Sequence, residues 1–146
     1  MRGILFLNNV NKYSQFAVLP LRVALGVVFI AHGGQKLFVY GIEGVAGLFS
    51  QLGIYPPYFW AVVVTLVEFL GGIAVLTGFL TRWASLLLAI NMLVAMVKVH
   101  LPNGFFLDFQ DGKHGIEFTF TLLLLSISLF ISGGGMLSID KYLNKG

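Results

Sequence analysis

The chain has 146 residues, of which 58% are hydrophobic and 10% charged, and its mean hydropathy is +0.91. Soluble domains carry about 25% charged residues, so a water-soluble helical domain is a poor fit, with almost no polar surface left for solvent. There is no cysteine, which excludes disulfides, zinc–thiolate sites and cysteine-ligated iron–sulfur clusters; the formal charge of +3 comes without a basic run interleaved with aromatics, which argues against a nucleic-acid partner.

Residues 1–16 read as a cytoplasmic or interfacial lead-in, because the apolar Ile4–Leu7 is too short for a signal-peptide core and has no small-residue cleavage site. Four apolar blocks follow, at Ala17–Phe38, Tyr58–Leu80, Trp83–Leu101 and Ile116–Gly133. Each is about 18 to 23 residues, enough at about 1.5 Å per residue to cross a hydrocarbon core of about 30 Å. The connections are short, so residues 1–146 form a single polytopic membrane domain. The fold expected is an all-α, four-transmembrane-helix bundle.

In the first connection, Val45–Leu52 predicts a short helix lying at the interface, bracketed by Gly44 and Gly53 and followed by the rigid Tyr55-Pro56-Pro57. Tyr55, Tyr58 and Trp60 suit an aromatic belt. The second connection is a tight hairpin anchored by Arg82 and Trp83, and the third, after Pro102 and Asn103-Gly104, carries Phe105, Phe106 and Phe109, expected to dip into the interface. Arg2, Lys12, Arg82, Lys141 and Lys145 fall on one side of four alternating spans, against Glu43, Asp108, Asp111 and Lys113 on the other. The Lys/Arg bias puts both termini in the cytoplasm.

The stretch "FIAHGGQKLF" (Phe29–Phe38) puts polar residues where hydrocarbon should be. An ionisable side chain within a bilayer costs about 2.5–3.5 kcal/mol on the most lenient scale and is read as functional by default. At about 100° per residue, Arg22, His32, Gln35 and Lys36 share one face of the first span. Ala61, Thr65, Glu68 and Gly72 form a narrower stripe on the second, as do Ala84, Asn91, Ala95 and Lys98 on the third and Glu117, Thr121, Ser128 and Ser132 on the fourth. Each span thus has one polar or small face, the pattern of an inward-looking bundle. Lys36, Lys98 and Glu117 lie within about 5 Å of the outer boundary, His32 about 9 Å down, and Glu68 and Asn91 about 15 Å down. The candidate ligand-binding cavity in the outer half therefore comprises His32, Gln35, Lys36, Glu68, Asn91, Lys98 and Glu117. His100 falls on the far side from Asn91 if the helix continues, so its place is left open. Arg22, near the cytoplasmic end, reads as an anchor that snorkels to lipid phosphate. No metal or haem ligand spacing and no catalytic motif is present, so no catalytic residue is assigned and no intrinsic cofactor is expected.

Taken together, "LRVALGVVFIAHGGQKLF", the "LGIYPP" loop, "VEFLGGIAVLTGFLTRWASLLLAINMLVA" and "VHLPNGFF" resemble the DoxX family of small bacterial membrane proteins over about Leu21 to Asp140. The resemblance implies a four-helix inner-membrane protein linked to respiratory, quinone-handling or oxidative-stress systems. The leading expectation is a membrane subunit or accessory of an oxidoreductase that binds a quinone-like or other small redox-active molecule. In that reading Glu68, His32 and Asn91 hydrogen-bond its oxygen or relay a proton, while Lys36, Lys98 and Glu117 set the local potential. A protein partner from a redox complex, or a homo-oligomer, would accompany the lipid bilayer. The alternatives are a small transporter or proton path, and a non-catalytic assembly subunit.

Overall fold

The computed structural model describes residues 13–108 and 112–144. Arg2, Lys12, Phe109, Asp111 and Lys145, and the side chains of Asp108 and Lys113, lie outside the described residues.

Helix α1 (Val18–Gln35) continues through a π-helical turn (Lys36–Tyr40) into α2 (Gly41–Gln51). Helix α3 (Pro57–Thr77) returns and is followed by α4 (Thr81–Ala95), which ends in a second π-helical turn (Met96–His100) and a short 3-10 turn (Leu101–Asn103). A two-residue antiparallel ladder pairs β1 (Leu107–Asp108) with β2 (Lys113–His114), before α5 (Glu117–Ser132) and a short terminal helix α6 (Ile139–Leu143). The helical stretches Tyr13–Gln51, Pro57–Thr77 and Thr81–Asn103 are long and apolar enough to cross a membrane; α5 is apolar but shorter, about 24 Å at 1.5 Å per residue.

Neighbours run antiparallel around the bundle in the order α1, α3, α4, α5, over a core of Leu25, Phe29, Val75, Ala84, Leu88, Met92, Leu122 and Leu129. The α1–α3 seam is the tightest. A Cβ on Gly33 would stand 2.4 Å from the Phe69 backbone nitrogen, one on Gly72 2.7 Å from the Ile30 nitrogen, and one on Gly26 2.7 Å from Leu76 Cβ. Small residues that let backbones meet are how helices associate where lipid supplies no hydrophobic drive. Gly34, by contrast, meets the Phe69 ring at ordinary distance.

The first connection differs from expectation in its bounds: α2 starts at Gly41, with Gly44 inside it, and Gly53 closes it at φ +69°. It lies on α3 through Val45, Ala46 and Phe49 packed against Ala61, while Tyr55, Tyr58 and Trp60 stay exposed.

The polar stripe expected on α3 is buried throughout (Ala61, Thr65, Glu68, Gly72). On α4 the stripe fades toward its end: Ala84 is buried, Asn91 and Ala95 half-buried, Lys98 exposed. On α5 the expectation fails. Thr121, Ser128 and Ser132 are exposed, and Thr119, Leu122, Ser126 and Leu129 face inward. The Thr121 hydroxyl donates to the Glu117 carbonyl and that of Ser132 to the Ser128 carbonyl. Hydroxyls satisfied by their own helix need no inward partner and can face lipid.

Arg22 is also corrected. It is 2% exposed, and its guanidinium donates to the carbonyls of Val75, Leu76, Gly134, Met136 and Leu137 at 2.7–3.5 Å. It is a tie between α1, the end of α3 and the glycine-rich exit rather than a lipid anchor. Gly78 (φ +72°) is required beside it, since a Cβ there would stand 2.7 Å from Arg22 Cζ. Asp140 completes the lock: its carboxylate accepts from the backbone N–H of Leu80 (2.7 Å) and Thr81 (2.9 Å) at the start of α4. Arg82 fastens the opposite strand of the lock, donating to the Phe130 and Ile131 carbonyls at the end of α5.

Burial pushes the Asp140 carboxyl up, but the Thr81 hydroxyl, the Thr81 and Leu80 N–H groups and the Arg22 charge outweigh it and hold it below the usual carboxylate range. A depressed carboxyl stabilises the fold above its unfolded value and loses that contribution as pH falls toward the folded value. In detergent, therefore, the thermal midpoint of the natural protein should fall as pH drops below about 4, more steeply than that of Asp140→Asn. At neutral pH that variant should be less stable by about 1 kcal/mol, the usual cost of a lost helix cap. A second prediction concerns the seam. Gly33→Ala should be destabilised by about 1–3 kcal/mol through overpacking against backbone. Gly47→Ala, in a helix with open space around it, should gain up to about 1 kcal/mol; equal effects in calorimetry would refute the seam's role.

Candidate functional site

Lys36 follows Gly33 by one turn, and Glu68 precedes Phe69, the residue whose backbone Gly33 touches. In a helix each Cα–Cβ bond leans toward the N-terminus. On antiparallel α1 and α3 those leanings converge: Lys36 reaches down into the bundle and Glu68 reaches up. The result is an ion pair from Lys36 Nζ to Glu68 Oε2, although the two positions are separated in depth. The second oxygen, Oε1, accepts from Asn91 Nδ2 of α4 at 2.9 Å. Glu68 is 4% exposed and both its oxygens are engaged, the condition under which a buried carboxylate is tolerated. The Lys36 side chain is 23% exposed, and an ammonium has three N–H donors, of which Glu68 takes one.

This pair forms part of the wall of a cavity of about 420 Å³, within the range of about 300–1,000 Å³ usual for small-molecule pockets. Phe29 and His32 line it from α1 and Lys36 from the π-helical turn that follows, Glu68 from α3, and Met92, Ala95 and His100 from α4 and its π-helical turn. Leu107, His114 and Gly115 close it from the hairpin, with Phe118, Thr119 and Leu122 from α5. The wall is mostly apolar, with the charged groups gathered at one part of it.

Of the residues singled out from sequence, His32, Lys36, Glu68 and His100 line the cavity, and Asn91 supports Glu68. Gln35 and Lys98 are exposed and lie outside the lining. Glu117 also lies outside it; its Oε1 accepts from the Leu107 N–H at 3.1 Å and so ties the hairpin to the first turn of α5. His100, left open by helical phase, is brought in by the π-helical turn, whose wider winding changes the phase of every residue after Ala95. Its Nδ1 lies 2.8 Å from the His114 carbonyl oxygen. A carbonyl only accepts, so Nδ1 carries the hydrogen and, in the neutral ring, Nε2 carries the lone pair.

His114 and Thr119 were not singled out. The signal for His114 was available in the connection itself: a short segment between antiparallel helices, with glycines at 104, 112 and 115, must fold back across the end of the bundle. Gly115 marks the contact, because a Cβ there would stand 2.4 Å from the Phe106 carbonyl oxygen. Thr119 gives no such signal, as its hydroxyl donates to the Ile116 carbonyl at 3.0 Å. Among the described residues no group of three or more His, Asp or Glu is placed to hold a metal ion.

Comparison with known proteins agrees with the geometry of an apolar helical bundle. The chain is 34% identical over 136 residues to "Putative oxidoreductase CatD" of Bacillus subtilis, covering 93% of each chain. It is 36% identical over 135 residues to the membrane protein Rv3486 of Mycobacterium tuberculosis, covering 88% of this chain and 82% of the relative. To the inner membrane protein YqjF of Escherichia coli it is 32% identical over 137 residues, covering 92% and 98%. No solved structure matches the chain. The sequence profile of the family described as DoxX matches residues 17–101, and with these relatives and its apolar helices the chain belongs to the DoxX family of membrane proteins.

Proposed function

We propose that the protein is a four-span inner-membrane subunit or accessory of a quinone-linked oxidoreductase, and that it binds a quinone-like or other small redox-active molecule in the cavity beside Lys36 and Glu68. The observation that carries this reading is a buried, fully bonded carboxylate holding a half-buried ammonium at one part of an otherwise apolar cavity. A quinone has that same division. Its carbonyl oxygens accept hydrogen bonds, and its ring and any tail are apolar. Lys36 has donors to spare for a carbonyl oxygen. Asn91, whose amide is engaged with Glu68, acts through Glu68 rather than on the ligand. His100 offers an Nε2 lone pair that can take a proton from a quinol hydroxyl.

The Lys/Arg distribution supports a cytoplasmic placement of the Arg82 and Lys141 end and of both termini. The short α5 serves as the fourth span, antiparallel to α4. Two of the relatives' names, one an oxidoreductase and one an inner membrane protein, agree with the redox setting and with the membrane. The electrons for quinone reduction, or the acceptor for quinol oxidation, belong to the partner enzyme.

Binding of a benzoquinone analogue to the purified protein in nanodiscs tests the reading. Glu68→Gln and Lys36→Met should each weaken binding by at least about tenfold, or about 1.4 kcal/mol. Gln35→Ala and Lys98→Ala, outside the cavity, should leave it unchanged. Equal binding by all four variants would refute the site, and a protein that binds no quinone at all would favour a purely structural subunit.

A further inference from the structure

We infer that the cavity is loaded sideways from the membrane, through a portal between α1 and α5 framed by His32 and Phe118, and that its ligand is therefore a lipid-dissolved molecule with a polar ring and an apolar tail. The inference rests on the cavity reading above and adds to it the route and the tail.

The rim of the cavity identifies the opening. Glu68, Met92, Thr119 and Leu122 line it and are at most 6% exposed. His32 and Phe118 also line it, yet both are exposed, Phe118 by 42%. A side chain that faces both a cavity and the surroundings stands at its mouth. These two stand opposite each other on α1 and α5, with ring centroids 6.0 Å apart and planes inclined by 45°. Such a contact is between side-chain tips and opens by rotation about side-chain torsions, without moving backbone.

The two seams that α3 makes with α1 and α4 are built differently. Between α1 and α3, glycine meets backbone at Gly33 and Gly72. Between α3 and α4, Gly71 sits on Leu88 and Glu68 is bonded to Asn91. Opening either one would shift helices or strip a buried carboxylate of its partner. The aqueous end is the competing route, since the hairpin's His114 is exposed. There, however, the backbone is tied: Gly115 N–H donates to the Phe106 carbonyl, Ile116 N–H to Gly104 and Glu117 N–H to Phe105. The His114 carbonyl itself receives His100 Nδ1 and Asn103 Nδ2. A ligand crossing that end would have to break several backbone hydrogen bonds; one passing Phe118 has only to turn aside a ring.

The arrangement also orients the ligand. Its polar ring goes to Lys36 and His100, and its tail leaves past Phe118 into lipid.

The absence of native cysteine makes the test direct. Phe118→Cys is reconstituted in nanodiscs and measured before and after alkylation with a bulky maleimide, so the same folded protein serves as its own control. Val27→Cys, on the exposed side of α1 and outside the cavity, is the label control. The probes are decylubiquinone and its tail-less, water-soluble benzoquinone counterpart. Alkylation at position 118 should slow association of both probes at least tenfold, with no effect at position 27, and decylubiquinone should bind at least tenfold more tightly than the tail-less probe. Unchanged rates at position 118, with Glu68→Gln still weakening both probes, would overturn the portal and leave the cavity standing. Equal slowing at position 27 would also overturn it, and equal affinity for the two probes would overturn the tail. Insensitivity to both alkylation and Glu68→Gln would remove the cavity reading and the portal together.

Discussion

A carboxylate near the middle of an apolar bundle constrains everything around it. Glu68 must keep a positive or hydrogen-donating partner on each oxygen, because an unpaired charge in that setting costs several kcal/mol or more. Lys36 and Asn91 supply those partners from two different helices. Lys36 reaches Glu68 because α1 and α3 approach until Gly33 touches the Phe69 backbone. Close approach and buried charge are thus one arrangement: the glycines bring the helices together, and the ion pair fixes their register.

The two ends of the bundle answer different demands. At one end Arg22, Arg82 and Asp140 are consumed in tying helix ends and the glycine-rich exit, with the guanidinium of Arg22 bonded to five carbonyls. There the charged groups serve to hold helix ends together. At the other end the π-helical turns after α1 and α4 interrupt regular winding, and polar groups with spare capacity gather around a cavity.

Much of this was legible in the sequence because of its period. Hydropathy located the apolar helices, and the stripe Ala61, Thr65, Glu68 and Gly72 gave the buried face of α3 correctly, since Ala61 and Gly72 allow close packing and Glu68 needs a partner. The stripe on α5 misled for a physical reason. Serine and threonine hydroxyls bond back to their own helix, so their polarity carries no directional information, whereas a glutamate or arginine cannot be satisfied that way. The role of Arg22 is hidden from sequence because its partners are backbone carbonyls, which leave no trace in side-chain identity. His100 and His114 were obscured by the π-helical turn and the hairpin, both of which break the regular 3.6-residue phase on which the angular argument depends.

The proposed quinone-like ligand would sit between α1, α4 and α5 beside the Glu68 pair. Photolabelling with an azidoquinone in native membranes, followed by peptide mapping, addresses it most directly. The account predicts adducts concentrated on the segments 29–36, 92–100 and 118–122, competed away by excess unlabelled quinone and lost in Glu68→Gln. Labelling spread over the lipid-facing residues of all helices, without competition, would contradict it.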